Sequence, residues 1–202
     1  MKIAIGDSFT YGEELEDRTT SAWPALLGYD NHGLRGASNE YIFRTAVELA
    51  PRCTHMIVAW SECTRYDLYA HDPVSIAERY SNYTGPIQVN PGWSRIAWFQ
   101  ELYTRYTDEL YQFRKTVAYM IALQSVLQAH QVDWYYCSAF SNQELFETYR
   151  DLELIKRIDQ KRFIGFPNEG FVEWAYGSPQ GPNGHPLELG HKRIAEEIAR
   201  YI

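Results

Sequence analysis

A chain of 202 residues with a net charge of −7 has the size of one domain with a full hydrophobic core. The acidic balance, with no run of Lys or Arg against it, argues against a nucleic-acid partner or an anionic membrane surface. Three scattered cysteines (Cys53, Cys63 and Cys137) offer neither a disulfide framework nor a zinc site; with no signal-peptide pattern and no apolar run of membrane-spanning length, a cytoplasmic protein is expected.

Lys2–Ile5 reads as a short apolar strand running into the glycine-punctuated turn Gly6-Asp7-Ser8-Phe9-Thr10-Tyr11-Gly12. A helix over about Ser21–Leu27 follows, with Ser21 as cap and Pro24 in its first turn. A strand near Tyr29–His32 leads to Gly33–Asn39, where Ser38 or Asn39 caps a helix with Ile42, Phe43, Ala46 and Leu49 at helical spacing. His55–Trp60, continuous and β-branched in its middle, is the clearest central strand.

From about residue 61 to 92 the pattern dissolves into polar and aromatic residues with Pro73, Pro86 and Pro91, which reads as a long loop or small insertion. A long helical stretch over Ser94–His130 buries Phe113, Val117, Met120, Ile121 and Leu127. Val132–Ser138 is a further buried strand, Gln143–Leu154 a helix, Arg162–Phe166 a last strand, and Pro186–Tyr201 the closing helix. This alternation predicts a single α/β domain over 1–202, a three-layer α/β/α sandwich with a central, mostly parallel sheet. Sixteen tyrosines and six tryptophans fit an aromatic core and rim, or an aromatic-lined groove for sugars. Tyr66, Tyr69 and Trp93 are expected to wall such a groove.

The chemistry concentrates at the two ends. A nucleophile on the turn after the first strand and a base just before the last helix would meet at the carboxyl edge of the sheet, where such folds hold their sites. Ser8 stands on that turn, and His185 stands before Pro186 in Gly184-His185-Pro186-Leu187-Glu188-Leu189-Gly190-His191. A serine hydroxyl needs a base and oxyanion donors to attack, and proline leaves the residue before it extended and outward-facing. Asp7 is read as structural, bonding loop amides. His191, inside the helix, is read as packing or supporting; six residues from His185, it does not share a metal-binding helical face with it.

These blocks resemble those of the SGNH (GDSL-type) hydrolases, over almost the whole chain and in the family's order, and the variant is similar to phage-encoded SGNH-like proteins. Gly6-Asp7-Ser8 matches the first block, and the resemblance implies nucleophile and oxyanion-amide roles for Ser8. Asn31-His32-Gly33-Leu34-Arg35-Gly36 matches the second and implies a backbone oxyanion donor at Gly36. His185, Pro186, Gly190 and His191 match the last block and imply the base role for His185. The implied fold is the SGNH/flavodoxin-like sandwich. The third block departs: where an asparagine amide is usual, the strand ends Ala59-Trp60-Ser61-Glu62, leaving Ser61, or Asn39 from the second block, as the third donor. The acid three residues before the histidine is also missing, since Pro182 and Asn183 stand there.

The resulting expectation is a hydrolase of small-molecule or glycan esters working through a Ser8–His185 dyad without metal or organic cofactor. The Pro182 carbonyl or the Asn183 side chain would orient the histidine, with a carboxylate from elsewhere, such as Glu169 or Glu173, as the rival. Two alternatives remain: a non-catalytic module of the same fold that binds glycan or protein, and a flavodoxin-type phosphate cradle over Gly6–Gly12. The second leaves the C-terminal histidine segment without a role. The sequence does not specify the oligomeric state.

Overall fold

The apolar runs Ile3–Ile5 and Met56–Trp60 become the central strands of one parallel sheet. The computed structural model describes residues 1–68, 87–89, 101, 105, 108–140 and 143–202. Within them the strands are β1 (Lys2–Gly6), β2 (Asp30–Gly33), β3 (His55–Trp60), β4 (Tyr66–Leu68), β5 (Ile87–Val89) and β6 (Asp133–Ser138). The sheet runs β2-β1-β3-β6 with every pair parallel, in register Ile3 with Asp30, Ala4 with Ile57, and Val58 with Tyr136. β1 and β3 lie in the centre and carry the apolar runs; β2, Asp-Asn-His-Gly, is the polar edge.

Parallel neighbours need crossovers, and α1 (Ser8–Tyr11), α2 (Arg18–Ser21), α3 (Trp23–Leu26), α4 (Asn39–Leu49) and α5 (Glu109–Ala129) lie in them. After β6 follow α6 (Gln143–Thr148), α7 (Phe171–Trp174) and α8 (Glu188–Ile198). The period-2 alternation of the strands divides the core between the two faces. Ile3, Ile5, Met56, Val58 and Trp60 pack with Ile42 and Ala46 of α4 and with Phe113, Val117, Met120 and Leu127 of α5. Ala4, Ile57 and Ala59 pack with Trp23, Phe171, Ile194, Ala195 and Ile198 on the other face. None of the helices among the described residues is long and apolar enough to cross a membrane.

The SGNH/flavodoxin-like sandwich expected from the sequence is corrected by this topology to an open four-stranded parallel sheet with flanking helices. The far edge shows why. Arg162–Phe166, expected as a last strand, adds only the single bridge Tyr136–Phe163 and the bond from Ile164 N–H to the Tyr136 carbonyl at 2.8 Å. A 3₁₀ turn at Gln160–Arg162 precedes it, and Gly165 turns the chain away at φ 78°.

Two smaller departures have local causes. The helix expected over Ser21–Leu27 is two single turns: Asp17 caps the first, and Ala22 is extended (ψ 145°) before the second. Pro24 has no N–H to continue a helix arriving from upstream. The stretch 61–92, expected as a long loop or small insertion, contains an antiparallel pair, β4 with β5. Tyr69 and Trp93 of the expected aromatic wall, and the Tyr66 ring, lie outside the described residues, as does most of the helical stretch before 108.

The edge strand also builds the neighbourhood of Ser8. Asn31 donates from Nδ2 to the Thr10 carbonyl at 2.8 Å and accepts from the Gly33 N–H at 2.9 Å, so the end of β2 docks on α1. A Cβ at Gly33 would lie 2.3 Å from the Tyr11 nitrogen, a backbone atom that cannot step aside. Gly33→Ala is therefore expected to destabilise the fold by about 1–3 kcal/mol, the range for overpacking. The urea midpoint should fall at constant m-value.

Candidate active site

β1 leads directly into the turn that holds Ser8. The chain can double back there because Gly6 has no Cβ: one would lie 2.1 Å from Thr10 Oγ1 and 2.9 Å from Ala59 Cβ. Asp7 caps α1, its Oδ1 accepting from the Phe9 N–H at 3.1 Å. Ser8 is the first residue of that turn of helix. It is 3% exposed, and its Oγ has no hydrogen-bond partner among the described residues.

Asp7 is completely buried, and its second oxygen gathers the ends of the neighbouring strands. Oδ2 accepts from Ser61 Oγ at 2.7 Å and from Arg65 Nη1 at 3.2 Å. Ser61, just past β3, is tied in turn to the start of α4: its N–H donates to Asn39 Oδ1 at 2.8 Å, and Asn39 Nδ2 donates to the Ser61 carbonyl at 2.9 Å and to Thr116 Oγ1 at 3.2 Å. The cap of α4 is Ser38, which accepts from the Tyr41 N–H. The side chains of Ser61 and Asn39, expected as alternative oxyanion donors, thus donate to scaffold groups instead. Gly36, the other expected donor, takes a left-handed conformation at φ 69° in the turn before α4. No sequence signal points to Arg65, which no motif contains.

At the other end of the chain His185 sits in a tight loop before α8, closed by Gly181 N–H to the His185 carbonyl at 2.9 Å and Leu187 N–H to the Pro179 carbonyl at 3.0 Å. Its ring lies 5.6 Å from that of Phe9, the residue after Ser8. The orienting group is Glu14. Its Oε2 lies 3.0 Å from His185 Nδ1 and accepts from the His185 N–H at 3.1 Å. Oε1 accepts from the Asn183 N–H at 2.9 Å and from Asn183 Nδ2 at 3.0 Å.

The expected dyad is corrected on this point. Nδ1 is held neither by the Pro182 carbonyl nor by the Asn183 side chain, and Glu169 and Glu173 bond elsewhere, to Trp174 Nε1 and the Gly170 N–H. Glu14 escapes a sequence reading because it precedes the histidine by 171 residues and sits in an irregular turn at φ 68°, rare for a residue with a side chain. Gly181 is the complementary signal: a Cβ there would lie 2.6 Å from Glu14 Cδ.

Burial of the Glu14 carboxyl opposes its ionisation, but the amides of Asn183 and His185 and the His185 ring outweigh that. They hold the carboxyl below its usual range. Burial pushes the Cys63 thiol up to about 12 and raises those of Cys53 and Cys137 as well, which keeps all three in the unreactive thiol form. Among the described residues no group of three His, Cys, Asp or Glu side chains could hold a metal ion.

No family model matches the chain, and no curated protein does. Among solved structures it is similar to an alpha/beta hydrolase enzyme from the metagenome of Lake Arreo, Spain, at 16% identity and a TM-score of 0.44, over 98% of this chain and 93% of that one. The SGNH membership expected from the motif blocks is corrected: no family model carries it. The glycines of those blocks answer local close approaches, Gly6 and Gly33 where the chain turns and Gly190 within α8.

His191 is fully buried in α8. Its Nδ1 accepts from the Trp23 N–H at 3.2 Å, which fixes the proton on Nε2 and ties α8 to α3. Burial, reinforced by His185, brings its pKa down to about 4. Since the folded value lies below the unfolded one, near 6.5, the unfolded chain binds the extra proton. The stability this neutral ring contributes is complete above pH 6.5 and is lost as pH falls toward 4, roughly 3 kcal/mol in all. Urea unfolding of the parent should show that slope between pH 6.5 and 4, and His191→Gln should flatten it.

Proposed function

We propose that this protein is a serine hydrolase of carboxylic esters, with Ser8 as nucleophile, His185 as general base and acid, and Glu14 as the carboxylate that holds the histidine. The observation that carries this reading is the Glu14–His185 contact. A half-buried carboxylate held by two backbone amides and a side-chain amide, aimed at Nδ1 of a histidine beside the Ser8 turn, leaves Nε2 as the working nitrogen. That is the division of labour of serine triads.

Ser8 Oγ attacks the acyl carbon while His185 Nε2 takes its proton. The developing oxyanion is received by backbone N–H groups at Ser8 and Gly36, since the side chains of Ser61 and Asn39 are engaged in the scaffold. The protonated histidine then gives its proton to the leaving alcohol, and an acyl-Ser8 ester remains. Water attacks that ester, His185 takes the water's proton and returns one to Ser8 Oγ, and the carboxylic acid departs. Glu14 stays ionised throughout and stabilises the imidazolium. The absence of a hydrogen bond on Ser8 Oγ in the unliganded chain fits a nucleophile whose contact to the base tightens on binding. Small esters and O-acyl groups on carbohydrate are the proposed substrates.

The engagement of Ser61 and Asn39 favours one other reading, a binding module for glycan or protein that retains the site without turnover. Labelling with an active-site-directed phosphonate separates the two. The hydrolase requires covalent adduct on Ser8 in the mass spectrum, abolished by Ser8→Ala; an unlabelled, folded parent that also leaves a short-chain chromogenic ester intact would favour the module.

Glu14→Gln keeps the size of the side chain but not its charge. Loss of the third member of a serine triad lowers kcat by about 10⁴ where the acid fixes the tautomer, and a fall of about 10²–10⁴ is expected here. His185→Ala should remove at least as much. Hydrolysis by Glu14→Gln at the parent rate would exclude the assignment.

A further inference from the structure

We propose that Arg65 is a positioning residue for the Ser8–His185 pair, an inference that rests on the function proposed above. Arg65 is 3% exposed and lies in the loop after β3. Its Nη1 bonds Asp7 Oδ2 at 3.2 Å, while the other oxygen of the same carboxylate caps the N–H of Phe9. Through Asp7 the guanidinium therefore grips the residues on both sides of the nucleophile.

The same guanidinium also reaches the histidine's side of the site. Its carbon stands 4.8 Å from the centre of the Phe140 ring, just past the end of β6. Phe140 meets Phe9 edge-on at 5.2 Å, and Phe9 lies 5.6 Å from the His185 ring. One extended cation thus contacts Asp7 by a charged hydrogen bond and stands over the ring of Phe140 in the aromatic wall of His185. A lysine ammonium can make either contact, but as a compact point charge it does not span both as the guanidinium fork does. Simple neutralisation of Asp7 would ask for a cation only, and the second contact adds a demand for the reach of a guanidinium.

The test is the rate at which the phosphonate labels Ser8 in the full chain, together with kcat and KM on a chromogenic ester, all at temperatures where each variant is fully folded. Misplacement of reacting groups by about 1 Å costs on the order of 10²-fold. Arg65→Met is expected to slow labelling and kcat by about that factor with KM little changed, and Arg65→Lys to recover part of the loss. A folded Arg65→Met that labels at the parent rate overturns the proposal, as does a defect confined to KM.

Should Arg65→Met not fold, Arg65→Lys decides: labelling several-fold slower at an unchanged urea midpoint supports the positioning role, and the parent rate overturns it. A parent protein that is never labelled removes the hydrolase reading itself, an outcome distinct from labelled parent and equally labelled variants.

Discussion

A carboxylate with no access to water, at the point where a parallel sheet gives way to its loops, needs both a counter-charge and a full set of donors. Asp7 has both, and the edge of the sheet is arranged around it. Its donors come from three places: the Phe9 amide in its own turn, the Ser61 hydroxyl at the end of β3, and Arg65 in the loop beyond. Ser61 then carries the connection to Asn39 at the start of α4. Removing one partner from such a buried pair typically costs about 3–5 kcal/mol, because the charge that remains is stranded. The backbone on both sides of Ser8 is accordingly tied, through Asp7, to the end of β3 and the loop beyond it.

The second half of the site is closed by a contact between chain ends. Glu14 leaves the nucleophile turn and reaches the loop of His185, while the His191–Trp23 bond fixes the helix behind that loop to α3. Both connections join the first thirty residues to the last twenty. The site's two moving parts, hydroxyl and imidazole, are thus mounted on segments that hold each other as well as the sheet.

The four strands of the parallel sheet and the helices α4, α5 and α8 are legible because their signals are local. His55–Trp60 is observed as predicted, and Phe113, Val117, Met120 and Leu127 bury the face of α5 that their spacing indicates. The turns that carry Ser8 and His185 are legible too, since glycine or proline marks each. What escaped was pairwise and distant. Glu14 and Arg65 lie in irregular loops without periodicity, and each is defined by a partner that no window of sequence contains. Short turn blocks resemble a family's motifs without fixing its sandwich, because a turn records only its own close approaches.

The two acids of the site, Asp7 fully buried and Glu14 half-buried, are held in different ways, and the difference bears on the proposed chemistry. Asp7 is paired with a permanent cation. Glu14 is held by the neutral amides of Asn183 and His185, and among the described residues its ion-pair partner is His185 alone. Amide donors keep the carboxyl ionised without cancelling its charge. An arginine at Glu14 would have met the same burial requirement, but would have answered the carboxylate's charge before His185 could. A histidine that must become an imidazolium for an instant needs a neighbouring negative charge that nothing else has claimed. Placing the permanent cation under Ser8 and only amides around Glu14 satisfies both needs, fixing the nucleophile's backbone while leaving the charge beside the base uncommitted.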